Sequence, residues 1–244
     1  MNKKKFIFLF LIFSTTPIFS QYYGRTEYCN SGDSLYSWAL NGLKLREAPK
    51  TDTRVLITIP YGELLVVDSI VNEAIEIEMI EPIKIDDMWT KSYSHKDCMV
   101  KVRYKGYLGF VYKGFLSVLK PADLNEEEIN SLTQYFKNNY AKLDSYTTDD
   151  YDLSVEEYIF KNRISYYSVY GRGCGGVTYV MPNILFQEGI LLLKYFMSKR
   201  DFDKWYISSS IGKSTIEFAN TNGMESLSIH KINNLTIISY NSCP

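Results

Sequence analysis

Alternating apolar and polar residues dominate the first third of the chain after residue 40. The alternation runs through Leu43–Arg46 and again through Val55–Ile59, and Pro60 ends the second run. Side chains that alternate in this way point to opposite faces of a β-strand. Gly62 supplies a turn, after which residues 64–67 and 70–71 continue as strand. Short strands separated by Gly and Pro predict a small all-β barrel, which we assign to residues 36–120.

A second group of strand signals closes this region. Residues 76–80 alternate and predict an extended hairpin. Residues 100–104, Val-Lys-Val-Arg-Tyr, predict another strand, and Lys105-Gly106 is its hairpin turn. Residues 109–111 follow this turn, and they lead to a predicted closing turn at Gly114-Phe115-Leu116.

The order of these pieces resembles that of bacterial Src-homology-3-type domains. The resemblance rests on LKLREAP at residues 43–49, VLITIPYG at 55–62 and VKVRYKG at 100–106. The chain differs from the family at Cys98-Met99, where a Trp is usual, and in a longer connection at residues 72–97.

The resemblance implies a barrel that binds cell-wall or other peptides in a shallow aromatic groove and performs no chemistry. Our candidates for this groove are aromatic residues of the predicted strands and loops: Tyr61, Trp89, Tyr104, Tyr107 and Tyr112. The alternative for each of them is a place in the core or at its rim, where aromatic residues are also common.

The second half, residues 121–244, follows a hinge at Lys120-Pro121-Ala122 and contains both helical and strand patterns. Apolar residues at helical spacing predict a helix over 125–143, and Ser154 with Glu157 predicts a capped short helix over 155–162. Between them, the polar residues 144–152 predict a loop. A third helix is predicted over 184–198, with a buried strand as its rival. Strands are predicted at residues 164–170, 177–181, 205–209, 215–219, 227–232 and 235–240. The pattern is typical of an α+β domain with an antiparallel sheet and two or three helices, and it resembles no family.

The first twenty residues have the pattern of a secretory signal peptide. Three lysines at positions 3–5 precede an apolar run at 6–13 that is too short to span a bilayer, and Ser20 offers a small residue at the cut. An uncleaved anchor is the alternative. Removal would leave a short extension at 21–35 and no membrane span, so we expect a secreted or periplasmic protein.

Four widely spaced cysteines fit an oxidising compartment. Of the three possible pairings we favour Cys29–Cys98 and Cys174–Cys243, because each bond then stays within one predicted domain. Free buried thiols are the alternative.

Composition removes several classes of function. The net charge of −1, with 27 basic and 28 acidic residues, offers no surplus of cations for nucleic acid. Two His residues and no C-x-x-C motif leave no recognisable metal site, and no glycine-rich motif has the context that a cofactor requires. The 21 Tyr residues suit half-buried strands or a binding surface.

Cys174 and His230 raise one catalytic possibility, a cysteine-dependent cell-wall peptidase. Such an enzyme needs a thiolate next to a His, whereas Cys174 precedes two glycines and a strand pattern. We therefore assign no catalytic residue and expect a non-enzymatic binding protein that recognises a peptidoglycan peptide or an envelope protein. A structural subunit of an envelope assembly is the second alternative.

Overall fold

The structure is a computed structural model that describes residues 29–122, 131–150, 152–199, 205–212, 214–221 and 223–243. The predicted signal peptide, the first part of the predicted extension and the start of the helix predicted from residue 125 lie outside these residues. The described part is mostly antiparallel β-structure, with two α-helices. Neither helix is long and apolar enough to cross a membrane.

The first sheet has seven strands in the order β3-β2-β8-β7-β4-β1-β9. Its strands are β1 (Ser34–Ser37), β2 (Leu43–Arg46), β3 (Val55–Ile59), β4 (Leu64–Ile80), β7 (Tyr93–Tyr104), β8 (Tyr107–Tyr112) and β9 (Leu116–Ser117). A short 3-10 turn, Lys113–Phe115, links β8 to β9, and a small hairpin of β5 (Lys84–Ile85) and β6 (Met88–Trp89) lies between β4 and β7. The strands predicted from alternation are therefore confirmed.

The sheet curls into a half-barrel and does not close. The ladder ends at β3 on one side and at β9 on the other. The long strands β4 and β7 pair from Val66↔Arg103 to Ile80↔Tyr93, which confirms the predicted extended hairpin. The turn at Lys105 and Gly106 has φ values of 46° and 86°, as a two-residue hairpin loop requires.

The second sheet has eight strands in the order β10-β11-β12-β13-β17-β16-β15-β14. Its elements in chain order are α1 (Leu132–Asn139), β10 (Lys142–Asp150), β11 (Leu153–Phe160), β12 (Ser165–Gly171), β13 (Cys174–Pro182), α2 (Phe186–Lys199), β14 (Trp205–Ile211), β15 (Thr215–Asn220), β16 (Glu225–Ile232) and β17 (Leu235–Ser242). The helix predicted over 184–198 is confirmed against its rival strand.

Two local predictions in this half are wrong. Residues 144–152, predicted as a loop, belong largely to β10, and the helix predicted over 155–162 is β11. Ser154 and Glu157 resemble a helix cap, but β11 is paired along both edges, with β10 and with β12. Pairing with two neighbouring strands outweighs a cap, which contributes only about 1 kcal/mol.

The second half consists of two structural repeats, each a helix followed by a four-stranded meander. The strands of the second repeat begin 63, 62, 60 and 61 residues after their counterparts, from Lys142 to Trp205, Leu153 to Thr215, Ser165 to Glu225 and Cys174 to Leu235. The last strands of the two repeats, β13 and β17, pair antiparallel at the centre of the sheet. The strand order of the second sheet is therefore symmetric about the β13–β17 pair.

Both sheets contribute to one aromatic core. Trp38, from the loop after β1, is 2% exposed, and its ring lies 5.9 Å from Tyr61 and 6.3 Å from both Tyr135 and Tyr195. Its indole N–H donates to the carbonyl of Leu119 at 2.8 Å. A residue of the predicted first domain is thus buried among residues of the second half.

Candidate functional site

The five aromatic residues predicted for a peptide groove do not line one surface. Tyr104 and Tyr112 are buried, at 5% and 4% exposure, and Tyr61 stacks on Tyr195 with ring centres 6.0 Å apart. Tyr107 and Trp89 are 46% and 70% exposed, but they belong to different hairpins. The structure therefore does not bring these five residues together, because Tyr104 and Tyr112 are buried and Tyr61 packs against the core.

Cys174 and Cys243 form a disulfide that joins the start of β13 to the residue after β17, with Cα atoms 4.3 Å apart. This part of the predicted pairing is confirmed. Cys29 and Cys98 are free thiols in the structure, in contrast to the bond predicted between them. Burial, and then the Asp97 charge, raises the pKa of Cys98 to about 11, which makes it a poor nucleophile at neutral pH.

The structure does not bring Cys174 and His230 together. Cys174 lies at one end of the sheet, level with the Glu225↔Ser242 pair of β16 and β17. His230 lies on β16, five residues after Glu225. That separation is about 16 Å along the strand. The ring nitrogens of His230 lie 3.2 Å from the Thr215 hydroxyl and 3.0 Å from the Ser228 hydroxyl. This pair therefore cannot form the proposed thiolate–imidazole couple.

A groove of about 560 Å³ lies between the first sheet and α2. One wall consists of residues 39–42 and the start of β2, and the other consists of the end of β4. Leu191, Lys194 and Ser198 of α2 complete it. Tyr112 also lines the groove, and it is the predicted aromatic residue that contributes to this surface.

The groove combines an apolar interior with charges of both signs. Lys44 and Arg46 stand on the β2 wall, and Glu78 and Glu81 stand on the β4 side. The Lys194 ammonium donates to the carbonyl of Met79. Burial lowers the pKa of Lys194, against the opposing influence of Glu81. Such a surface can bind a chain segment that carries both an anionic and a cationic group.

A buried ion pair fixes the strand next to this groove. Lys113 and Asp97 are 2.9 Å apart with 8% and 11% of their side chains exposed, and His95 lies 3.5 Å from the second Asp97 oxygen. The Tyr112 hydroxyl donates to the carbonyl of His95 at 2.5 Å. The cluster therefore ties β7 to the 3-10 turn and holds Tyr112 in the groove wall.

Sequence reasoning did not find this cluster. The available signal was His95 and Asp97 at i and i+2 on one strand, which places both side chains on one face. Within the described residues, no group of three or more His, Cys, Asp or Glu side chains could hold a metal ion.

Comparisons with known proteins give no further guide to function, since no protein-family model, curated protein or solved structure matches this chain.

Proposed function

We propose that this protein is an extracytoplasmic, non-enzymatic binding protein that recognises a cell-envelope peptide in the groove between the half-barrel and α2. The observation that carries the proposal is the groove itself, with apolar side chains at its base and opposite charges on its two sides. The Cys174–Cys243 bond is compatible with an oxidising compartment.

Peptidoglycan stem peptides fit this chemistry because they carry carboxylates together with a free amino group. Lys44 and Arg46 can bind a carboxylate, whereas Glu78 and Glu81 can bind an ammonium group. The buried lining residues Trp38, Met99 and Tyr112 offer apolar contact between the two charged sides.

The test is retention of the purified protein on isolated peptidoglycan, followed by calorimetric titration with a soluble stem peptide. Lys44→Glu and Glu78→Lys reverse exposed charges of the groove and should each weaken binding about fivefold. Lys161→Glu makes the same change on an exposed turn of the second half and should leave the affinity unchanged. If the wild type is not retained, a peptidoglycan peptide is not the ligand.

A second candidate function is association with an envelope protein through the β5–β6 hairpin. Met88 and Trp89 on this hairpin are 73% and 70% exposed, and aromatic side chains of this kind often dominate protein interfaces. A photo-crosslinking group at position 88 should capture one defined partner in intact cells, and Trp89→Ala should abolish the product. A cross-linking pattern that Trp89→Ala does not change would exclude the hairpin as the contact.

A further inference from the structure

A shallow depression of about 630 Å³ lies on the second sheet, and its described lining shares no residue with that of the groove. This volume is within the range of about 300–1,000 Å³ that small-molecule sites in proteins occupy. The lining includes Asp152, Tyr167, Arg172, Gly176, Thr178 and Asn241.

The depression lies on the face of the sheet that points away from the helices. Tyr166 of β12 is buried in the core together with residues of both helices. The next residue, Tyr167, therefore points to the opposite face, and it is 48% exposed. Tyr167 pairs with Thr178 of β13, and Gly176 of β13 pairs with Asn241 of β17. Three neighbouring strands thus place these side chains on one accessible surface.

Gly176 makes the middle of this surface concave. A Cβ atom at Gly176 would lie 2.7 Å from Oδ1 of Asn241, so the Asn241 side chain lies across the space that a larger residue would fill. The φ value of Gly176 is outside the left-handed region, so its backbone conformation does not require glycine. What glycine provides here is space, which allows a ligand to approach the backbone of β13 closely.

Polar groups around the depression can both donate and accept hydrogen bonds. Asn241 and Tyr167 are exposed, so each can exchange a hydrogen bond with water for one with a ligand. The Thr178 hydroxyl lies 3.1 Å from the Ser239 hydroxyl and retains capacity for a second hydrogen bond. The Asn241 amide offers a donor and an acceptor side by side.

The charges at the rim of the depression balance each other. The Arg172 guanidinium lies 3.1 Å from the Asp152 carboxylate, and both side chains are exposed. The other described lining residues are uncharged. The site therefore has no surplus charge of either sign, which favours a neutral ligand over an anion or a cation.

A saccharide ring has the chemistry that this surface requires. Its C–H face is apolar and can pack on an aromatic side chain, and the hydroxyls at its edge donate and accept hydrogen bonds. A purely apolar ligand would instead cover the Asn241 amide and the Thr178 hydroxyl without replacing their hydrogen bonds to water, which is costly.

We propose that this depression binds a short neutral saccharide. Its apolar face packs on Tyr167, and its hydroxyls form hydrogen bonds with Asn241 and Thr178. The Arg172–Asp152 pair offers further donors and acceptors at the rim. The site is independent of the peptide groove, and neither proposal requires the other.

The test titrates the full protein with the neutral trisaccharides maltotriose, cellotriose and triacetylchitotriose, and NMR chemical shifts report binding. At least one should bind, with a dissociation constant of about 1 mM because the site is open. Trigalacturonate, which is anionic, should bind about tenfold more weakly than the best of them. Tyr167→Ala should weaken binding about tenfold. Tyr146→Ala makes the same change at a tyrosine of β10 that is 59% exposed, and it should bind like the wild type.

Gly176→Ala tests the shape of the depression, because it adds one methyl group to its floor. It should weaken binding about fivefold. Its unfolding temperature should stay close to that of the wild type, since the exposed Asn241 side chain can move aside. If this variant does not fold, Tyr167→Ala decides the test.

The proposal is overturned if none of the neutral trisaccharides binds, or if trigalacturonate binds as tightly as the best of them. Full binding by Tyr167→Ala, or by a folded Gly176→Ala, would also overturn it. Lys44→Glu, which alters the groove, should retain full saccharide binding, and this separates failure of one site from failure of the other.

Discussion

Lys113 and Asp97 form an ion pair at 2.9 Å in the interior of the protein, where only 8% and 11% of their side chains are exposed. Replacing Asp97 with Asn removes the carboxylate that faces the buried Lys113 ammonium. We expect a loss of about 3–5 kcal/mol in the free energy of unfolding, measured by urea denaturation.

Glu47→Gln is the control for this experiment. Glu47 pairs with Arg54 at 3.1 Å, but 57% and 70% of their side chains are exposed. Exposed pairs contribute less than about 1 kcal/mol. Equal losses for the two substitutions would show that burial does not strengthen the Asp97 pair.

The same carboxylate predicts a loss of stability in acid. Burial raises the pKa of Asp97, but His95, Lys113 and the backbone amide of Cys98 together lower it below the ordinary value of 3.8. A group whose folded-state pKa is depressed stabilises the protein fully above its unfolded-state pKa. This contribution should therefore begin to disappear as the pH falls past about 3.8, and continue to do so through the lower folded-state pKa.

Urea denaturation at a series of pH values between 6 and 2 checks this dependence. Subtracting the Asp97→Asn profile from that of the wild type isolates the contribution of Asp97. A difference that stays constant over this range would contradict the lowered pKa.

The four cysteines predict a defined thiol count. Alkylation in denaturant without reductant should modify two thiols, Cys29 and Cys98, and reduction should raise the count to four. In the folded protein at pH 8, both should react slowly, because burial raises the pKa of each thiol. Mass spectrometry gives the count. A count of zero without reductant would instead support a Cys29–Cys98 bond.

The Cys174–Cys243 bond closes a loop with a sequence separation of 69 residues. In the chain-entropy model, a loop of this length contributes about 4 kcal/mol to stability. Cys243→Ser should lower the free energy of unfolding by roughly that amount. The double variant Cys174→Ser/Cys243→Ser should lose the same amount, and a clearly larger loss would show that the side chains also contribute through packing.

At Gly189 of α2, we expect substitution by Ala to destabilise the protein although Ala favours helix formation. Ala is favoured over Gly in a helix by about 1 kcal/mol, so the sequence suggests that Gly189→Ala would stabilise α2. A Cβ atom at this position would lie 2.6 Å from Ile229 and 2.8 Å from Thr236, whose hydroxyl donates to the carbonyl of Ile184. We expect a net loss of about 1–2 kcal/mol by thermal or urea unfolding.

Ile229→Val tests the cause of this loss, because it removes the methyl group closest to the new side chain. It should cost less stability in the Gly189→Ala background than in the wild type. Equal costs in both backgrounds would mean that the contact with Ile229 is not the source of the strain.

The half-barrel could be predicted well because local sequence chemistry determines its strands and turns. Lys105-Gly106 specifies a hairpin loop, and the alternation in Val55–Ile59 specifies a strand without reference to distant residues. The polar strand β10 could not be predicted in this way. Its sequence KLDSYTTDD is exposed on both faces, so pairing with β11 rather than burial keeps it extended.

The groove was harder to predict for a related reason. It joins residues 39–46, residues 77–81 and α2, which are far apart in the chain. The local sequence around Tyr61 and Tyr104 does not show whether either side chain is buried or exposed. Tyr61 stacks on Tyr195 and Tyr104 lies in the half-barrel core, and both contacts depend on long-range topology.

The position of β17 has a consequence for the order of folding. This strand is the last of the second sheet in sequence, yet it fills the centre of that sheet, between β13 and β16. Until β17 is available, the two repeats share no hydrogen bonds across the described sheet, and each presents an open edge. The second half therefore cannot complete its sheet until β17 has been made, so its folding has to wait for a pairing between strands that are far apart in sequence.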